Sequence, residues 1–254
     1  MNNPKISIIT VCYNSAAHIE EAIQSVVNQS YENKEYIVID GGSTDGTLAI
    51  MEKYRDKIDY FVSESDQGIS DAFNKGIKVA SGDIIGILNS DDMMMPHALA
   101  KVADNYEKGI DVYRGYCIIW NRELNTKHEL HPNNRFGVPP FGAIICHESS
   151  FITKERYNSV GEYKISFRYM MDLDFFIRMY KDKTIKTKYI DVCVITFRTG
   201  GASSTPAKQL EEERRRLVLE NGGNMVDATI YIWYHRIKYM IKICRNKVKQ
   251  WIKK

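Results

Sequence analysis

Two adjacent carboxylates, Asp91 and Asp92, close a short apolar run, Ile84 to Leu88, with Asn89 and Ser90 leading into them. Paired hard oxygens at the end of a strand suit a divalent cation that carries phosphate groups. Ser81-Gly82-Asp83 opens the run, and so few branched aliphatics read as a buried strand of a parallel sheet rather than a helix. The carboxyl edge of such a sheet is where ligands bind in open α/β folds. Side chains alternate along a strand, so Asp91 and Asp92 are expected to point different ways, one to a cation and the other to a neighbouring part of the ligand. The competing reading is a helix cap, since Ser and Asp favour helix starts and Pro96 suits a first turn.

Three further acidic positions share this logic. Asp40 ends a second strand, Glu35 to Asp40, and Gly41-Gly42-Ser43-Thr44-Asp45-Gly46-Thr47 follows it as a turn that lets backbone approach a ligand and aims helix N–H groups at anions. It is not a P-loop, because the lysine-bearing end of that motif is absent, and a plain strand-to-helix turn stays open. Ile58 to Val62 gives a third strand and leaves Ser63-Glu64-Ser65-Asp66-Gln67-Gly68 at the same edge. Met170 to Tyr180 reads as a helix whose Asp174 and Arg178 form an i, i+4 pair. Asp172, two residues away on a different face, is then free to look into a cleft, or else only complements the helix dipole. His147 reads as a hydrogen-bonded structural histidine.

Helical spacing over Ile19 to Val27 and Ile69 to Ala80, alternating with the strands at Ile6 to Cys12, Glu35 to Asp40, Ile58 to Val62 and Ile84 to Leu88, predicts an α/β fold with a wound parallel sheet. The second half is less regular. Val112 to Trp120 and Asp191 to Phe197 read as strands, Asn121 to Asn134 as polar turn sequence, and Ala143 to Ile152 as a strand with a polar interruption. Arg198 to Pro206 has the composition of a lid loop, and Lys208 to Glu220 reads as a charged helix facing solvent over much of its surface.

With 254 residues, 44% hydrophobic and 26% charged, the chain has enough apolar sequence for one large domain and is not of the disordered class. Five scattered cysteines, odd in number and without a C-x-x-C pair, favour reduced thiols over a disulfide framework or a zinc site. Strand-like sequence follows Met1 almost at once, so no secretory signal is expected, and no apolar run reaches membrane-spanning length. From Arg236 onward there are eight Lys or Arg and no Asp or Glu, which leaves −5 for the rest out of a total of +3. A mildly acidic body therefore carries a basic tail.

These landmarks in this order resemble family 2 of the glycosyltransferases, inverting enzymes of the GT-A fold, over residues 5–205. The resemblance is carried by the opening strand into Tyr13-Asn14, by Asp40 to Thr47, by Asp66-Gln67-Gly68 with Asp71-Ala72 and Asn74-Lys75-Gly76, by Leu88 to Asp92, and by Asp172-Leu173-Asp174 with Arg178. It implies a Rossmann-like, mostly parallel sheet flanked by helices over 1–205, with a nucleotide-sugar half (1–117) and an acceptor half (118–205), then a helical, basic, amphipathic tail (206–254). It implies that Thr10 and Tyr13 border the nucleotide, that Asp40 bonds the base, usually uracil, and that Asp66 and the Gly68 turn lie beside nucleotide or donor sugar. Gly42, Asn74 and Lys75 belong to the same donor-binding motifs. Asp91 would meet ribose or assist the metal, Asp92 would be the main ligand of Mg²⁺ or Mn²⁺ bridging the diphosphate, and Asp172 matches the general base. Two positions depart from the pattern: Asn89 stands where many relatives carry Asp, and Met171 where many carry Glu just before the base.

The expected reaction is transfer of a sugar from a UDP-type donor to a glycan or lipid-linked hydroxyl, in cell-surface polysaccharide synthesis. Aromatics, aliphatics and cations at helical spacing from Ile230 to Trp251 suit an anionic membrane surface, though such a helix could also pack on the body. The expected location is cytoplasmic, peripheral at the inner face of the membrane. Nucleic acid is a poor partner, since the body shows no basic or aromatic reading surface. A nucleotidyltransferase or phosphohydrolase on the same acidic edge, and a non-catalytic sugar-nucleotide-binding or scaffold protein, are the competing functions.

Overall fold

The computed structural model describes residues 3–200 and 207–252, without the side chains of 207, 242, 243 and 245–252. Its first half alternates strands and helices: β1 (Ile6–Cys12), α1 (Ile19–Val27), β2 (Lys34–Asp40), α2 (Thr47–Glu52), β3 (Tyr60–Ser63), α3 (Ile69–Val79) and β4 (Ile84–Asn89). Then come β5 (Met93–Met94), α4 (Ala98–Asp104), β6 (Val112–Asn121), β7 (Thr126–Leu130), β8 (Ser150–Thr153), α5 (Lys154–Val160), α6 (Met171–Lys181), β9 (Thr187–Arg198), α7 (Ala207–Glu220) and α8 (Met225–Ile252).

The strands join in one sheet in the order β3-β2-β1-β4-β8-β6-β9-β5, with β7 paired to β6. The expected parallel winding holds from β3 to β4, whereas β8 enters antiparallel between β4 and β6. Strand order reverses at β1, which has β2 on one side and β4 on the other. The register sets Cys12 beside Asp40, Asp40 beside Ser63 and Val11 beside Asn89, so four carboxyl ends finish in one row. That row is the topological switch point at which open α/β sheets bind ligands.

Period-2 alternation divides the core between the two faces. Ile8, Ile23, Leu88 and Leu99 pack on one side, and Ile9, Ile39, Phe73 and Phe175 on the other. The second core extends beyond residue 205: Leu217 and Val218 of α7 and Ala228 and Tyr231 of α8 are buried in it. The tail expected over 206–254 is thus not a separate unit, because its first half completes the core of the body. Much of α7 faces solvent as expected, and only Leu217 and Val218 among its described side chains are buried.

Two elements differ from the sequence expectation. The polar stretch after β6 turns back as β7, because Ile118 to Asn121 offer an edge that Thr126 to Glu129 can pair with while staying exposed. Residues 143–146 form no strand, and only Ser150–Thr153 pairs. The irregular segment is held instead by the buried Arg114, whose guanidinium donates to the carbonyls of Asn133, Ile144 and Ile145 and sits 5.3 Å and 5.0 Å from the ring centroids of Phe136 and Phe176.

Candidate active site

Beyond β4 the chain turns sharply, with the Asp92 N–H bonded to the Asn89 carbonyl, and the two aspartates separate: Asp91 is partly exposed and Asp92 is fully buried. Asp92 Oδ1 accepts the backbone N–H of Arg198 at 2.7 Å. Its Oδ2 and the Oδ1 of Asn89 are buried without a hydrogen-bond partner among the described residues. Burial raises the Asp92 carboxyl far above the ordinary range, and the charges of Glu148 and Asp91 add to the effect. A buried carboxylate with a spare oxygen beside two like charges is a site that a cation stabilises.

Glu148 lies on a single turn of 3-10 helix, His147–Ser149, just before β8. Its Oε1 accepts Asn89 Nδ2 at 2.5 Å. Burial raises its carboxyl, as do the charges of Asp172 and Asp91. Glu148 is thus the link between the β4 carboxylates and α6. Sequence reasoning missed it, although the polar interruption inside an apolar stretch was the available signal. The Asn89 departure also gains a reason: the amide donates to Glu148, whereas aspartate there would add a further acid to a buried cluster of like charge.

Asp172 is the second residue of α6, partly exposed, with Oδ1 accepting the Leu173 N–H at 2.7 Å. Burial pushes its carboxyl up to about 6, against that hydrogen bond and with help from the charge of Glu213. Asp174 faces away, fully buried, and receives Arg178 Nε at 2.8 Å, Asn221 Nδ2 at 2.9 Å and Lys164 Nζ at 3.1 Å. The two acids of this helix have different surroundings, as expected: Asp174 is locked in the fold, and Asp172 accepts only a backbone N–H.

The scan against known families matches residues 7–199 to "Glycosyl transferase family 2". The chain belongs to glycosyl transferase family 2. It is 29% identical over 246 residues to a PGL/p-HBAD biosynthesis glycosyltransferase of Mycobacterium tuberculosis, covering 92% of each chain. In fold it is similar to S. aureus TarS 1-349, solved in complex with UDP-GlcNAc, at TM-score 0.66 and 21% identity over 89% of this chain and 69% of that one. The mannosyltransferase PcManGT of Pyrobaculum calidifontis, solved with GDP-Man and Mn²⁺, gives 0.63 at 16% identity over 90% and 68%. The protein is therefore a glycosyltransferase with the GT-A architecture.

The remaining motif residues of this family 2 chain divide by where their side chains go. Tyr13 follows β1 and is 62% exposed at the switch point. Asp66 accepts the Gly68 N–H at 2.8 Å and packs against Gly41, where a Cβ would lie 2.6 Å from its Oδ2. Gly42 adopts φ +81° in the same turn, a conformation that favours glycine. Lys75 stands at the rim, 2.8 Å from Glu64 and 3.6 Å from Asp71.

Three placements correct the motif-based expectation. Thr10 is fully buried on the interior face of β1 and accepts the Tyr36 hydroxyl at 3.1 Å, so its side chain borders the core and not a nucleotide. Asn74 gives both ends of its amide to the backbone of Tyr163, at 2.9 Å and 2.8 Å, and fastens α3 to the segment between α5 and α6. Asp40 is fully buried and accepts from Gly42 N, Ser43 N, Ser43 Oγ, Ser63 Oγ and Cys12 Sγ. A carboxylate with five donors has no lone pair left for a base, and it shapes the Gly41 to Thr44 turn. His147, also buried, bonds the Tyr163 hydroxyl at 2.8 Å and is a packing residue held neutral, its pKa pulled down to about 4 by burial and by Arg114. Among the described residues no group of three or more His, Cys, Asp or Glu forms a ready-made metal site.

Proposed function

We propose that this glycosyltransferase inverts configuration at the transferred sugar, with cation assistance and a nucleoside diphosphate sugar, UDP-linked, as donor. The acceptor is a hydroxyl of a glycan or lipid-linked glycan of the cell surface. The observation that carries the reading is the buried Asp92 past the carboxyl end of β4, its Oδ2 without a partner among the described residues and the neighbouring Asn89 bonded to Glu148 at 2.5 Å.

Asp92, with Asp91, is the set that would hold Mg²⁺ or Mn²⁺, since such ions take one or two carboxylates and complete their shell with substrate phosphate and water. The buried, unpartnered Asp92 Oδ2 fits that role. When bound, the ion offsets negative charge on the diphosphate. Tyr13 and the Gly41 to Thr44 turn border the nucleotide, and Asp66 with Lys75 lies on the donor side of the cleft. Asp172 accepts the proton of the acceptor hydroxyl while that oxygen forms its bond to the anomeric carbon. The bond from that carbon to the phosphate oxygen breaks, and its electron pair leaves with the nucleoside diphosphate. Attack from the face opposite the leaving group inverts the centre, and no covalent sugar intermediate is needed.

Helix α8 supports a second proposal, attachment to an anionic membrane surface on the cytoplasmic side. Val226, Ile230, Trp233, Ile237 and Met240 are exposed at intervals of four and three residues, which places them on one helix face. Eight cations follow from Arg236 onward. No helix among the described residues is long and apolar enough to cross a membrane, so the proposed contact is interfacial.

A panel of sugar nucleotides with Mn²⁺ tests the enzymatic reading. Slow release of UDP from one donor, lost in Asp92→Asn, is expected. Release of monophosphate or pyrophosphate, or binding of every donor without turnover, contradicts it.

A further inference from the structure

We infer that Glu213 of α7, beyond the family-matched segment, is a positioning residue for Asp172; this rests on the reading of Asp172 as the base. Its carboxylate accepts three consecutive backbone N–H groups, Arg168 at 2.8 Å on Oε1, and Tyr169 at 2.8 Å and Met170 at 3.0 Å on Oε2. These residues lead directly into α6, whose first turn carries Asp172 and whose N-cap, Met170, has no side-chain cap of its own. A carboxylate on three converging amides fixes the path of the chain, as a capping box does, but from another helix.

The rest of α7 makes this clamp stiff. Leu217 and Val218 are fully buried, Arg216 donates to the Ser166 carbonyl at 3.1 Å, and Lys164 bridges Glu220 at 2.8 Å and Asp174 at 3.1 Å. Just past α7, Asn221 reaches Asp174 at 2.9 Å. Thus α7 grips the base helix on both sides of Asp172, through the incoming loop and through the buried Asp174. Among the described residues no Lys or Arg lies within ion-pair distance of Glu213, and Arg168 and Arg216 line the same hollow. The other groups facing Asp172 are Glu148 and the hydroxyls of Tyr163 and Tyr231. A clamp of this kind sets both the location and the proton affinity of the base.

The test is Glu213→Gln in the full chain, with kcat, donor KM and the pH profile measured on the donor found above. Glutamine keeps the size but opposes an amide to the backbone donors and removes the charge. Expected are a kcat lower by roughly 10- to 100-fold, as for a misplaced catalytic group, an unchanged donor KM, and an acid limb moved to lower pH. Leu217→Ala, which loosens α7 without touching charge, is expected to lower the melting temperature and leave the acid limb in place. Should the Gln variant not fold, Glu213→Asp keeps the charge on a shorter arm, and a reduced kcat with an unmoved acid limb is expected. Wild-type kcat and acid limb in the Gln variant, or a wild-type kcat in the Asp variant, overturns the inference. An active Asp172→Asn removes the base reading itself, whereas an inactive one beside an unaffected Glu213→Gln removes only the clamp.

Discussion

As the proposed base, Asp172 must be ionised to accept a proton, and burial together with Glu213 pushes its pKa up to about 6. The rate is therefore expected to fall about tenfold per pH unit below that value and to level off above it, as a kcat profile shows. Asp172→Asn is expected to lose about 10²- to 10⁴-fold in kcat while donor KM stays put. Asn74→Ala is the contrasting case. Two buried-side hydrogen bonds to Tyr163 disappear, so a stability loss of about 1–3 kcal/mol in urea unfolding is expected, with little change in donor KM. At this scale the sequence was most legible where one helix carries two acids of different fate. Spacing placed Asp174 on Arg178 and freed Asp172. It was least legible where motif membership stood in for direction: Thr10 and Asn74 lie in the right motifs, but their side chains are spent on Tyr36 and Tyr163. Glu148 and Glu213 were hidden because each acts across more than forty residues of sequence, on Asn89 and on residues 168–170.

The elements of the first half follow from periodicity, since alternating β and α patterns with polar turns fix a wound sheet and its reactive edge. The second half has no such period. β7 is an exposed ribbon with little apolar signal, and residues 131–145 are shaped by one buried cation rather than by a repeating pattern. Arg114→Met keeps bulk but leaves three carbonyls without their donor, so a loss of about 3 kcal/mol is expected on unfolding. Since Phe176 of α6 packs on the same guanidinium, kcat is expected to fall with stability, and a variant stable and active as wild type contradicts this account of the loop.

For the whole molecule, the family match ends at residue 199, yet the fold closes only with α7 and the first turns of α8. Removal of residues 239–254, which takes away six of the eight cations, is therefore expected to leave folding and UDP release intact and to weaken sedimentation with anionic vesicles; undiminished vesicle binding by the shortened chain contradicts membrane attachment. A cut at Asp227 would strip Ala228 and Tyr231 from the core and is expected to unfold the second half. The central claim, that the acidic edge of the sheet gathers a cation and a sugar diphosphate in one cleft, is tested most directly by calorimetric titration of UDP with Mn²⁺ into the wild type and Asp92→Asn, each repeated with EDTA. Binding is expected in the wild type, weakened by roughly tenfold or more, about 1.4 kcal/mol, by the substitution or by the chelator. Equal affinity in all four titrations contradicts the claim.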